Sequence, residues 1–505
     1  MAVVTPRRRT AESWRWAVFA IYTALLSVAT YFHESWFDEA QAWLMARDLS
    51  PGRLWWNYLR YEGTPGLWHT ILLIPAKLGL PYGSLHVVAC VAACTAVAAL
   101  VWLSPFPKTI AVLLPFTYFV MYQYAVIARS YTLFPVLFFL TAAILPQARR
   151  RTYLFLLLLI LMSGAAMHGV MAAVGIGAAY LIEFRTDFRN RSRAEIRRHA
   201  IAGTAFVLWL LVVAALVWPP KDLSFIRLSG QDMRSVKASV VAAAEQVEEA
   251  LACRPELGAR RWDLRILDMA PSALVLALSA WWFYKNSTLL YFVLPLGAVL
   301  MLSSVVYRNR WHAGVLFLIW LFAMWITYSR ARQPAPAYIW LAWLVILGPQ
   351  IYWSAKSIGY DIGRSYSGSR AVAGYLKSEG LQNSVIFGAG YEATSIQPYF
   401  PKNIFRNYHD GRSPAFWLWS TANQYPQVMP SVPPERPDVL ILSLRTDAQR
   451  DAALRLVRSL PEAGYAVAGR FDGQLYWKSA VLEPESFLVV RRVAARGLSA
   501  RGKER

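Results

Sequence analysis

Asp38 and Glu39 stand side by side in Ser35-Trp36-Phe37-Asp38-Glu39-Ala40-Gln41-Ala42-Trp43, a few residues beyond the first long apolar stretch. A carboxylate pair between tryptophans at a membrane surface is costly to desolvate, and partial desolvation makes a carboxylate more basic. Such a group is suited to taking a proton from a hydroxyl at the water–lipid boundary. The bland alternative is that Asp38 caps a helix while Glu39 is a first-turn acid favoured by the helix dipole. Other ionisable residues collect near the ends of apolar stretches rather than in their middles: Glu62, His69, Arg129 (in Arg129-Ser130-Tyr131), His168, Lys221, and Arg308, Arg310 and His312 in Arg308-Asn309-Arg310-Trp311-His312. Ionisable groups packed against a bilayer are functional candidates when they face protein or a water-filled cavity. Carboxylates and cations on one face are what group transfer from a lipid phosphate requires, the acid accepting a proton and the cations holding the departing phosphate. Each has an ordinary reading too: arginines snorkel to lipid headgroups, Lys221 is a solvated loop charge, and His168 is a polar turn residue.

The elements that must position these groups are membrane helices. The chain has 505 residues and is 56% hydrophobic but only 16% charged, which is outside the range of soluble proteins. Its formal charge of +22 is mostly arginine and reads first as a topology signal. No soluble basic module with a recognition motif is present, so nucleic acid is not an expected partner. Cys90 and Cys94 lie one helical turn apart in an apolar stretch and Cys253 stands alone, which gives neither a zinc pattern nor a disulfide framework. Arg7-Arg8-Arg9 before an apolar run, with no small-residue cleavage site, reads as a retained signal anchor.

Eleven spans are expected, near Trp16–Phe32, Ser84–Leu103, Thr109–Tyr124, Tyr131–Leu145, Tyr153–Ala166, Gly169–Ile182, Ile201–Val217, Met269–Tyr284, Leu289–Val306, His312–Thr327 and Ala337–Trp353. Arginines flank the fifth and sixth stretches at Arg149–Arg151 and from Arg185 to Arg198, so the two form a hairpin turning near His168. The arginine-rich loops then lie in the cytoplasm. The outer side holds a first loop (33–83), a middle loop (218–267) and everything after Ser354, including the basic tail from Arg491 to Arg505. In the first loop Ser35-x-x-Asp38 is a capping-box candidate. Trp36, Phe37, Ala40, Trp43, Leu44 and Ala46 form an apolar face for the membrane interface, and Trp68 suits the headgroup level. The middle loop carries one amphipathic helix through Val236, Val240, Ala244, Val247 and Leu251. The fold class is thus a polytopic α-helical membrane domain (1–353) followed by an extracytoplasmic α/β domain (354–505). That second domain has strands at Ser384–Phe387, Val439–Leu442, Tyr465–Ala468 and near Gln474–Trp477 and Phe487–Val490, and helices at Gly368–Ser378, Glu392–Tyr399 and Ala448–Leu460. It contains no nucleotide-binding glycine motif.

One apolar span, then Phe37-Asp38-Glu39-Ala40-Gln41, then Glu62-Gly63-Thr64-Pro65-Gly66-Leu67-Trp68, then many spans, resembles the GT-C superfamily of integral-membrane glycosyltransferases. The look is that of the protein O-mannosyltransferase and lipid A aminoarabinose-transferase-like branch, over roughly the first two thirds of the chain. The resemblance implies an inverting hexosyl- or pentosyltransferase of a bacterial plasma membrane, with its N-terminus in the cytoplasm. The donor it implies is a polyprenyl-phosphate sugar held at the outer face. The acceptor is a hydroxyl of a cell-envelope glycan, lipid or protein. Carried to this chain, Asp38 is the base, and Glu39 is a second acid that orients the acceptor or a divalent cation. Arg129, Arg308, Arg310 and Lys221 are candidates for the donor phosphate, and Glu62, His69, Tyr131, His168 and His312 are further site candidates. On this reading Asp38, Arg129 and the turn at 308–312 share one outward-facing cavity. A transporter or flippase of lipid-linked glycans would instead show midplane charges, broken helices or an internal repeat, none of which is clear in the sequence. A scaffold displaying the α/β domain would leave Asp38 and the arginine turns apart.

Overall fold

The computed structural model describes residues 12–186, 191–224, 236–251, 262–305, 309–423, 425–478 and 480–493. Arg7–Arg9, Cys253, Arg308 and the basic tail beyond 493 lie outside the described residues. The chain is mostly helical, with a small sheet near its C-terminal end. Two compact units form. The first comprises Met1–Tyr31, Trp55–Ile71 and Leu85–Ile358, and the second Phe32–Leu54, Leu72–Ser84 and Gly359–Arg505. Much of the first loop therefore groups with the C-terminal residues and not with the apolar helices.

Among the described residues of the first unit, six helical stretches are long and apolar enough to cross a membrane: Ser13–Phe32, Ser84–Leu103, Ser130–Gln147, Met167–Thr186, Arg193–Val217 and Arg310–Arg330. These are the helices of a membrane protein, since a span needs about 20 apolar residues. Arg193–Val217 exposes Val207, Leu208 and Leu211, a surface suited to lipid and not to water. Ala313–Arg330 is its opposite, buried from Ala313 through Thr327. Around it Phe106 meets Trp325, Tyr328 and Trp343 edge to face, and Trp320 meets Trp343 at 4.8 Å. Small residues allow close helix approach: a Cβ on Gly175 would lie 2.3 Å from the Pro295 backbone.

The remaining expected spans are helical but differ in detail. The third breaks at Pro115 into Lys108–Leu113, a 3-10 turn Leu114–Phe116 and a π turn Tyr118–Gln123, because proline supplies no N–H and Thr117 turns extended. Thr152–Ala165 and Leu290–Val305 are shorter apolar helices. Trp262–Lys285 and Ala337–Gly363 cover the eighth and eleventh stretches. The chain does break beside His168, where Ala166 is extended between Thr152–Ala165 and Met167–Thr186. The middle-loop helix runs Val236–Leu251, its last carbonyls accepting from the Gln350 side chain at 3.1 and 3.3 Å.

The second unit contains a four-stranded sheet in the order β1-β2-β6-β3, where β1 is Ile386–Ala389, β2 Val439–Ser443, β3 Tyr465–Phe471 and β6 Phe487–Arg492. β1 and β2 are parallel, while β6 runs antiparallel to both of its neighbours. β4 (Gln474–Trp477) and β5 (Ala480–Pro484) form a separate hairpin. Asp447–Ala463 covers the sheet, packing Ala453, Leu456 and Leu460 against Leu440, Leu442 and Val490. Thr446 and Gln449 cap its start reciprocally, and Gly464 (φ 76°) ends it in a left-handed turn.

The Phe37–Asp48 helix belongs to this unit. Its apolar face is buried: Phe37, Ala40, Trp43, Leu44 and Ala46 are each at most 3% exposed. The apolar face expected to lie in the membrane interface is covered by protein instead. Gln41 grips Trp417 at both ends, its amide N donating to the Trp417 carbonyl (2.6 Å) and its carbonyl accepting the Trp417 N–H (2.9 Å). Trp68, expected at headgroup level, is likewise buried.

Candidate functional site

The N-terminus of the Phe37–Asp48 helix is where the acidic pair sits, and the structure separates its two members. The helix starts one residue later than expected: Trp36 is the N-cap and Glu39, not Asp38, is the third residue, whose carboxylate accepts the Trp36 N–H at 3.2 Å. Glu39 is fully buried. Its Oε2 also lies 3.1 Å from His33 Nε2, and His33 Nδ1 lies 3.2 Å from Asp361 Oδ2. Tyr476 donates its hydroxyl to Asp361 Oδ1. Glu39, His33, Asp361 and Tyr476 thus form a continuous buried relay. Burial opposes a charge on His33, but the flanking carboxylates of Asp361 and Glu39 outweigh it and hold the imidazole up at about 10. Glu39 is therefore committed to an internal cation.

Asp38 is half-buried at the same helix start. It is near enough to Tyr391 to influence its phenol. The first turn of a helix favours negative charge there. Beneath it, Glu485 accepts the Phe37 N–H (3.0 Å) and the Ser367 hydroxyl (3.1 Å), while Arg445 Nη1 stands 3.8 Å from its other oxygen. Burial pushes the Glu485 carboxyl up to about 8, against the pull of Arg445. Arg445 in turn bonds Glu483 at 2.7 Å.

Proton linkage fixes how this unit should respond to pH. His33 and Glu485 both have folded pKa values above their ordinary ones, so the folded state holds the extra protons. Their stabilisation is fully present at low pH. That of Glu485 is lost between about 4.5 and 8, and that of His33 between about 6.5 and 10. The melting temperature of the purified protein is expected to fall steadily from pH 6 to pH 10. A melt that is flat across that window would show that neither group carries the proton assigned to it.

The other sequence candidates fall in the first unit. Arg129, Tyr131, His168 and His312 come together: the His168 and His312 rings are 4.0 Å apart, Tyr131 lies 5.4 Å from His312, and the Arg129 guanidinium sits 5.4 Å over the Tyr131 ring. His312 Nδ1 accepts the Asn309 N–H at 3.3 Å, which leaves Nε2 to donate, and Ser303 Oγ lies 3.5 Å from His168 Nε2. Arg310 is engaged by Glu249 of the Val236–Leu251 helix at 3.3 Å, so its charge is partly spent. Lys221 is exposed in a turn, where its neighbour Asp222 accepts the Tyr61 hydroxyl at 3.0 Å. Glu62 is half-buried and ends a helical turn before Gly63, whose φ of 60° needs glycine. His69 is buried, and burial alone pushes it down to about 4, so it is neutral.

Sequence reasoning missed Asp361, Tyr476, Arg445, Tyr391 and Glu485. The one available signal was Glu485 in Pro484-Glu485-Ser486, an acid pinned between two strand-like runs. Among the described residues, no group of three or more His, Cys, Asp or Glu side chains is arranged to hold a metal ion. No protein-family model, curated protein or solved structure matches the chain.

Proposed function

We propose that this protein is a membrane glycosyltransferase of GT-C type. It moves a sugar from a polyprenyl-phosphate carrier to a hydroxyl of an extracytoplasmic glycan, lipid or protein. In the full topology eleven spans cross a bacterial plasma membrane, with the N-terminus in the cytoplasm and the C-terminal α/β domain (354–505) outside. The acceptor hydroxyl attacks the anomeric carbon, its proton passes to Asp38, the carbon–phosphate oxygen bond breaks, and polyprenyl phosphate leaves with the electron pair. Inversion follows from this single displacement. The candidates for the donor phosphate are Arg129, beside Tyr131 and the His168–His312 pair, and Arg308, Arg310 and Lys221. Glu39 positions the helix instead of touching substrate.

The observation that carries this reading is the division of labour in the acidic pair. Glu39 is consumed by an internal cation, while Asp38, one residue before it, keeps a half-buried carboxylate at a helix start. The deciding assay presents membranes holding the protein with radiolabelled polyprenyl-phosphate hexoses and pentoses. Label is expected to appear in material that no longer extracts with lipid. If the lipid-linked sugar instead crosses the bilayer intact and no label transfers, the protein is a flippase and the transferase reading fails.

A further inference from the structure

The second unit carries, near Asp38, a cluster of aromatic rings that no step above uses. Tyr391 and Trp419 are only partly buried, with ring centroids 5.3 Å apart. Phe37 closes on both edge to face, at 4.8 and 6.0 Å, and buried Trp417 backs them at 6.2 Å each. The Arg445 guanidinium lies 5.8 Å over Tyr391 and 5.7 Å over Trp36. Glu483, itself partly exposed, holds Arg445, and Asp38 sits at the same helix start as Phe37.

We propose that Tyr391 and Trp419 form a binding platform for a sugar ring, with Asp38, Arg445 and Glu483 as its hydroxyl partners. Sugar rings present C–H faces that pack on aromatic rings by dispersion, and a rim of hydroxyls that need both donors and acceptors. This cluster offers both within one patch: flat rings, two carboxylates and one guanidinium. A cationic ligand is disfavoured, because the Arg445 guanidinium already lies within the patch. An anionic ligand would meet Asp38 and Glu483. A neutral polyol fits. The identity of this glycan as the acceptor rests on the proposed transferase reading; its binding does not.

The test uses the purified full-length protein on an array of pyranose and furanose oligosaccharides, with glycosyl transfer to the same glycans assayed in parallel. Wild type is expected to retain a subset of the array. Tyr391→Ala and Trp419→Ala each lower the affinity for that subset at least tenfold, while Tyr391→Phe and Trp419→Phe, which keep the rings, restore it. The Phe variants guard against loss by misfolding. Failure to bind any glycan, or equal binding by the Ala variants, overturns the platform. A glycan that binds through these rings but is never glycosylated leaves the platform standing and removes the transferase reading. A glycan that is glycosylated yet indifferent to both Ala variants does the reverse.

Discussion

Asp38→Asn is expected to lower sugar transfer by roughly 10²–10⁴-fold, the range a positioned general base supplies. The substitution isolates the proton-accepting function. Asn has nearly the same size and can still accept hydrogen bonds at a helix start, so the local fold is expected to survive. Asp38 is half-buried, and Asn keeps its shape there. Its melting temperature should therefore match wild type within a few degrees. Donor affinity should also persist, because the phosphate candidates sit elsewhere in the chain, at Arg129 and its neighbours. The loss belongs in turnover. Glu39→Gln gives the contrasting pattern: a destabilised protein whose residual folded fraction still turns over. Full activity in Asp38→Asn at matched expression would take the base role away from this residue.

The parts of the molecule that the sequence disclosed are those set by local pattern. β2, β3, β4 and β6 stand where alternating or β-branched runs placed strands, and the middle-loop helix follows its apolar spacing from Val236 to Leu251. β5 was illegible because Glu483 and Pro484 break any strand pattern in Ala480–Pro484. Glu392–Tyr399 reads as a helix but forms a 3-10 run over Tyr391–Tyr399, with Pro398 inside it. The sheet order and the acidic relay were beyond reach for one reason: their partners are distant. Asp361 lies 328 residues from His33. Nothing local distinguishes it from a solvated acid at the end of an apolar helix. The same distance hides the fate of Trp36 and Phe37. Their spacing shows an apolar face but not whether lipid or protein covers it, and here protein does. Register at the acidic pair failed by one residue because Ser35 is the better capping residue on paper. The buried His33 cation instead recruits Glu39.

His33→Ala is expected to be the most destabilising single change in the second unit. The imidazole is wholly buried and bonds a carboxylate through each nitrogen. Its removal leaves Glu39 and Asp361 facing a cavity without their shared cation. Breaking a buried pair by removing one partner typically costs about 3–5 kcal/mol, since the surviving charge has neither water nor counter-ion. For a unit of this size that corresponds to a fall in melting temperature of roughly 6–20 °C. The remedy distinguishes charge from packing. Combining His33→Ala with Glu39→Gln and Asp361→Asn removes the stranded charges while keeping the cavity, so part of the lost stability should return. Glutamine at 39 can still accept the Trp36 N–H, which keeps the helix start in register. The pH signature should change as well: wild type loses the His33 contribution as pH rises from about 6.5 to 10, and every variant lacking His33 should lack that part of the slope. Equal melting of wild type and His33→Ala, or no recovery in the triple variant, would mean that the relay is not what holds Glu39 in place.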